Sequence, residues 1–217
     1  MLTGGPDGVK TWNFDQYDWV DQYDERMRGA VRLCYDRAME RLAECADAQA
    51  GEDVLDLGTG TGNSALPVLR RGCRVLGLDP SERMLRQAEA KVAEWQGLLT
   101  VRHASDPFLA IHCPDATFDV VVSAFAIHHV PDESKPAAVR EAKRVLRPLG
   151  RIVIADTMFL DADHKRRGLQ ENPDMDDEYQ PLLTTFPAMF EAEGFRVQTE
   201  QVGPWVWILV ARQPGLV

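Results

Sequence analysis

Two carboxylates, three glycines and a histidine pair carry the chemistry of this sequence. Asp56 stands two residues ahead of Gly58, Gly60 and Gly62, and a second acid, Asp79, closes the next apolar run. Glycines at alternate positions permit a tight turn with positive φ and close backbone approach to a ligand. A helix is expected to start near Asn63-Ser64, which would turn its first free N–H groups toward the same place. An acid at the end of the neighbouring strand can accept both hydroxyls of a ribose. Further along, His128 and His129 are adjacent, with Ser123 upstream of them. Imidazole titrates near neutrality, so one of the pair can serve as a general base or orient a substrate. In an extended segment neighbouring side chains diverge, so only one of them is expected to reach a reacting group.

The elements that must position these groups follow from the hydrophobic pattern. Val54-Leu55-Asp56-Leu57 reads as a strand buried on both faces, as in a parallel sheet covered by helices. Residues 65–69 continue as helix, with Pro67 in the first turns where its missing N–H costs least. Residues 74–78 form a second strand ending on Asp79. Ser81 can cap the helix that follows, which leaves Asp79 free to face a ligand. Helices are expected over 25–48, 82–95, 135–147 and 182–193, the last interrupted at Pro187. Further strands are expected over 98–102, 120–123 and 151–156, and a closing antiparallel pair over 195–199 and 205–211. Trp205 and Trp207 share a face of the last strand and are expected to pack on a helix or on an oligomer partner, a homodimer included. Residues 157–178 read as the least regular stretch.

The spacing G-x-G-x-G differs from the dinucleotide fingerprint G-x-G-x-x-G, in which a pyrophosphate rests on the helix N-terminus. The stretch Val54–Asn63 resembles motif I of the class I S-adenosyl-L-methionine (SAM) methyltransferases. The resemblance extends over residues 12–212. It includes an acid at the end of the second strand (Asp79), Pro114-Asp115-Ala116-Thr117-Phe118-Asp119 before the fourth strand, and Leu146-Arg147-Pro148-Leu149-Gly150 before the fifth. Within the superfamily the chain looks most like a small bacterial methyltransferase group of unsettled substrate. The resemblance implies a Rossmann-like, doubly wound, seven-stranded, mostly parallel sheet with one antiparallel strand. It implies SAM as cofactor, with S-adenosyl-L-homocysteine as product. Asp56, Gly58, Thr59, Gly60, Gly62, Asp79, Pro80, Met84, Ser105, Asp106, Ser123 and Tyr23 are the expected cofactor contacts, and His128 and His129 the expected catalytic groups. Asp106 is the candidate for the adenine amino group, with Ser105 or the Ala104 backbone as alternatives, or an ordinary Asx turn. Met84 packs on the adenine or belongs to the core.

The segment from Trp12 to Asp24 is rich in aromatics and acids, against 8% aromatics overall. It resembles the stretch that closes over SAM in small-molecule methyltransferases, with Tyr23 the expected contact. Residues 1–50 are therefore expected to form a helical lid, and 51–217 the SAM-binding core. A nicotinamide oxidoreductase, a SAM enzyme of other chemistry and a non-catalytic SAM binder are the competing readings.

Composition narrows the partners. The chain has 217 residues and a formal net charge of −10, which argues against nucleic acid. A small-molecule methyl acceptor is expected instead. No apolar run is long enough to span a membrane. The N-terminus has no basic region followed by an apolar core, and the four cysteines are scattered, so the cytoplasm is the expected compartment. No metal is expected. Asp156, Asp161, Asp163 and His164 match no known ligand set in their spacing.

Overall fold

The computed structural model describes residues 3–4, 10–11, 14–30, 34–91, 93, 97–171 and 178–215. Expectations resting on Trp12, Asn13, Val31, Leu33, Val92, Asp174, Asp176 and Asp177 lie outside these. Seven strands form one sheet: β1 (Asp53–Leu57), β2 (Arg74–Asp79), β3 (Leu99–His103), β4 (Phe118–Ala124), β5 (Leu146–Thr157), β6 (Arg196–Gln201) and β7 (Val206–Arg212). Their spatial order is β3-β2-β1-β4-β5-β7-β6. β1 to β5 pair in parallel, and β7 runs antiparallel to both β5 and β6. The strand order reverses beside β1, so β1 and β4 diverge there. In a doubly wound sheet that crevice is the ligand site.

Alternation along the strands feeds two cores. Val54, Val120, Val122 and Val153 face one layer, while Leu55, Val121, Ile152 and Ile154 face the other. Helix α2 (Tyr35–Ala46) covers the first face with α3 (Ala65–Leu69). Helices α5 (Lys135–Val145) and α7 (Phe186–Ala192) cover the second. Helix α4 (Glu82–Lys91) buries Met84, Leu85 and Ala88, as expected from their spacing.

Three expectations are corrected. The helix expected over 25–48 is split into α1 (Tyr23–Gly29) and α2, and Cys34 before α2 is left-handed at φ 47. Of the 1–50 segment, α2 is a core helix on the sheet, whereas Phe14 and Tyr23 meet the loops at the carboxyl ends of the strands. The stretch after β5 is not irregular throughout, because Ala162–Glu171 forms helix α6. Asp161 Oδ1 accepts the His164 N–H at 2.8 Å, and Asp163 pairs with Arg166 at 2.8 Å, so these acids serve the helix itself. The basic side chains after residue 139 also tie loops to the sheet. Arg144 donates to the Ile111 and Cys113 carbonyls, each at 2.8 Å, and Arg147 bridges Asp53 (2.9 Å) and Asp119 (2.6 Å).

Candidate active site

The crevice holds a cavity of about 360 Å³, within the range of small-molecule sites. Its floor is the loop after β1. Gly58 has φ +71, and a Cβ there would lie 2.4 Å from the Ala126 Cβ, so only glycine fits. The loop consumes most of its own amides. The Gly58 and Thr59 N–H groups donate to the Leu78 carbonyl, Gly62 donates to Thr59, and Gly60 donates to Asp79 Oδ2 at 2.9 Å. The Gly58, Thr59, Gly60 and Gly62 amides are thus committed to the loop, to β2 and to Asp79.

Asp56 does not line the cavity. It is fully buried behind the loop, where Oδ2 accepts the Thr59 hydroxyl at 2.7 Å and the Ser64 hydroxyl at 2.6 Å. Oδ1 has no hydrogen-bond partner among the described residues. Burial raises its pKa to about 6, against the two hydroxyls that favour the carboxylate. Asp56→Ala strands both hydroxyls, at about 1–3 kcal/mol each. For a chain of this size the melting temperature falls by about 2–4 °C per kcal/mol. A folded pKa raised above the unfolded value stabilises fully below the unfolded pKa and is lost as pH rises through about 6. The deficit of the variant in calorimetric melting is thus expected to shrink between pH 5 and pH 8. A deficit that does not change with pH would remove Asp56 from this role.

Gly62 and Ser123 also stand off the cavity wall. Gly62, at φ +82, lets α4 approach through Ala88, and the Ser123 hydroxyl ties β4 to β1 by donating to the Leu57 carbonyl at 2.8 Å. Thr59, Gly60, Asp79, Pro80 and Met84 do line it, as do Ser105 and Asp106. Asp79 is almost wholly buried. Its Oδ1 accepts the Ser81 N–H, and Ser81 in turn caps α4 by accepting the Met84 N–H. Burial, and then the neighbouring carboxylates of Asp56 and Asp15, push the Asp79 pKa up to about 6 against the Ser81 and Gly60 amides. Asp106 makes the Asx turn, with Oδ1 accepting the Phe108 and Leu109 N–H groups.

The roof comes from residues 14–30. Phe14 and Tyr23 line the cavity, and Trp19 stacks on Tyr17 and Tyr23 with ring centroids 5.0 and 6.3 Å apart. Asp24 fastens the roof to the floor. It accepts from Thr61 (2.6 Å), Asn63 (2.8 Å) and Lys91 (2.5 Å). Asp15 adds the Ser81 hydroxyl and the Arg83 N–H. None of these acids was singled out in the sequence, because their partners lie far away along the chain.

At the far wall stands His129, with the Phe14 ring edge-on at 5.5 Å. Phe125 just before it is left-handed at φ 49, an uncommon conformation for a bulky residue and one that tends to occur at functional sites. The histidines are not extended. Ile127–His129 is a 3-10 turn, and it sets the two rings 4.1 Å apart. His128 does not line the cavity. Its Nδ1 is 2.5 Å from Asp156 Oδ1, and its Nε2 is 3.2 Å from Glu178 Oε2. Burial works to lower the His128 pKa, but Asp156 and Glu178 outweigh it and raise the value to about 9. Burial and the adjacent His128 charge hold His129 well below 6.5. A neutral, proton-accepting imidazole thus faces the cavity, with a charged one behind it. Sequence reasoning missed Glu178 and Lys135. Lys135 is buried and donates to the Val130 carbonyl at 2.7 Å, the Tyr179 carbonyl at 2.6 Å and Asp132 at 2.5 Å.

A Rossmann-like sheet with this loop, acid and crevice is the architecture of the SAM methyltransferases. Residues 54–150 match the methyltransferase domain model. The chain is similar to an uncharacterized methyltransferase of Geobacillus kaustophilus, at 32% identity over 88% of this chain and 89% of the relative. It is likewise similar to the uncharacterized methyltransferase YrrT of Bacillus subtilis, at 32% identity over 89% and 94%. Among solved structures, a SAM-dependent methyltransferase from Aquifex aeolicus shares the fold, with a TM-score of 0.65, 22% identity, and coverage of 91% of this chain and 99% of that one. The chain belongs to the SAM-dependent methyltransferases, in the group represented by these Bacillus and Geobacillus proteins. Among the described residues no helix is long and apolar enough to cross a membrane.

Proposed function

We propose that this protein moves a methyl group from SAM to an oxygen, nitrogen or sulfur nucleophile of a small cytoplasmic molecule. One observation carries the choice of ligand. The cavity is lined by Asp79, Asp106 and Glu133, and among the described residues by no lysine or arginine. Together with loop amides already spent internally, this wall suits a ligand that is cationic and free of phosphate. SAM fits that description and a nicotinamide dinucleotide does not.

Asp79 holds the ribose hydroxyls in this reading, with Ser105 and Asp106 beside the adenine and Met84 under it. Gly58, Thr59, Gly60 and Tyr23 surround the amino acid part. Asp56, Gly62 and Ser123 support the loop from behind without touching the ligand. Bound SAM supplies a methyl group already activated on a sulfonium. The chain's share is then to hold the acceptor in line, which is worth up to ~7–11 kcal/mol of the barrier. The aromatic roof excludes water and bulky acceptors. His129 accepts a hydrogen bond or the proton of the acceptor, and the Glu178 carboxylate, 3.6 Å from its Nδ1, stabilises the charge that results against the repulsion of His128.

Calorimetric titration of the full chain with SAM, S-adenosyl-L-homocysteine and NADH tests the reading. Binding of the first two without the third is the expected result. Binding of NADH alone, or of none of them, overturns it.

A further inference from the structure

A donor set that the sequence conceals stands at the cavity wall formed by His129, with His128 and Glu178 behind it. Glu178 spans both histidines, with Oε2 3.2 Å from His128 Nε2 and Oε1 3.6 Å from His129 Nδ1. The donor atoms of the three side chains lie within 4.8 Å of one another. Their backbone frame is tightly built. The Tyr179 N–H donates to the His128 carbonyl at 3.0 Å, Lys165 donates to the Glu178 carbonyl at 2.6 Å, and Lys135 holds the Tyr179 carbonyl. Asp156 occupies the other nitrogen of His128 and is itself fixed by the Ala126 N–H at 3.1 Å and the Thr157 N–H at 2.6 Å.

A carboxylate on one ring nitrogen is how a metal-ligating histidine is oriented, because it commits the other nitrogen to the ion. Ligands at ~2.0–2.2 Å from a central ion stand about 3–3.5 Å from one another. The distances from Glu178 to the two histidines are close to that separation. Two imidazoles and one carboxylate on one side leave open positions, and the nitrogen donors favour zinc or iron(II) over magnesium or calcium. We propose that His128, His129 and Glu178 bind one divalent transition-metal ion at the acceptor end of the SAM cavity. This deepens the proposed function and rests on its placement of the acceptor beside His129; with the ion bound, His128 gives up its proton and His129 is a ligand rather than the proton acceptor. There the ion would polarise an acceptor oxygen or sulfur that coordinates it.

The test uses the full chain after treatment with a chelator and dialysis, with no SAM or acceptor present. Zinc(II) is titrated by calorimetry and cobalt(II) by its visible absorption. One ion per chain and a tetrahedral-type cobalt spectrum are expected. Glu178→Gln and His129→Ala are each expected to weaken binding at least tenfold. Asp156→Asn is expected to weaken it ~10–100-fold, as an orienting partner does. His164→Ala, in α6 and outside the donor set, leaves affinity unchanged. Circular dichroism confirms that each variant is folded, and the near-isosteric Glu178→Gln keeps the test valid if an alanine variant is not. No binding overturns the proposal and leaves only a Glu178–His128 ion pair. Binding unaffected by Glu178→Gln and His129→Ala overturns it too, since the ion then sits elsewhere. SAM binding is measured separately, so loss of the cofactor reading and loss of the metal site give different results.

Discussion

Turnover falls about 10²–10⁴-fold when His129 is replaced by alanine, while SAM affinity is unchanged. The expectation rests on the position of His129 at the wall opposite the glycine loop and on its protonation state. Burial and the His128 charge keep it neutral at physiological pH. A neutral imidazole can take a proton or a hydrogen bond from an acceptor, whereas an imidazolium could only donate. Phe14 from the roof packs edge-on against the same ring. His128→Ala is expected to lower turnover as well, but it also removes the cation between Asp156 and Glu178. Losing one partner of a buried pair costs about 3–5 kcal/mol. That variant should therefore melt at a distinctly lower temperature, and His129→Ala should not. The assay is S-adenosyl-L-homocysteine formation with acceptors found by a mass-spectrometric screen. Full activity in His129→Ala would take the imidazole out of the mechanism.

SAM binds ~10–150-fold more weakly to Asp79→Ala, equivalent to ~1.5–3 kcal/mol for hydrogen bonds to a charged group. The carboxylate already accepts the Gly60 and Ser81 amides, so it is aimed before the ligand arrives. Its pKa of about 6 adds a pH signature. A bidentate acceptor must be ionised, so affinity is expected to hold above pH 6 and to fall by about tenfold per unit below it. Asp56 titrates in the same window but stands behind the loop. Asp79→Asn separates the two, because it should bind weakly and lose most of the acid dependence. Unchanged affinity in Asp79→Ala would refute the ribose assignment, and a pH profile retained in Asp79→Asn would move the titration to Asp56.

The sequence by itself determined the sheet, the glycine loop and the acid that ends the second strand. These are local signals. Val54-Leu55-Asp56-Leu57 must be buried on both faces, Gly58 must turn with positive φ, and Asp79 follows an apolar run that pairs residue by residue with the first. Such features are set by neighbours within a few residues, so composition and period reveal them. Only the tertiary structure decided which carboxylates line the cavity and which brace the loop. Asp56 and Asp79 look alike along the chain, yet one lies beneath the loop and the other in the cavity wall. It also decided the histidine pair. The 3-10 turn at Ile127–His129 replaces the extended segment the pattern suggested and turns both rings toward Glu178, which arrives from beyond α6. Asp24 reaches Lys91, and Lys135 reaches Tyr179, across similar gaps. No local pattern encodes these meetings. A side chain's partner across a fold depends on how layers pack, and packing is a property of the whole chain.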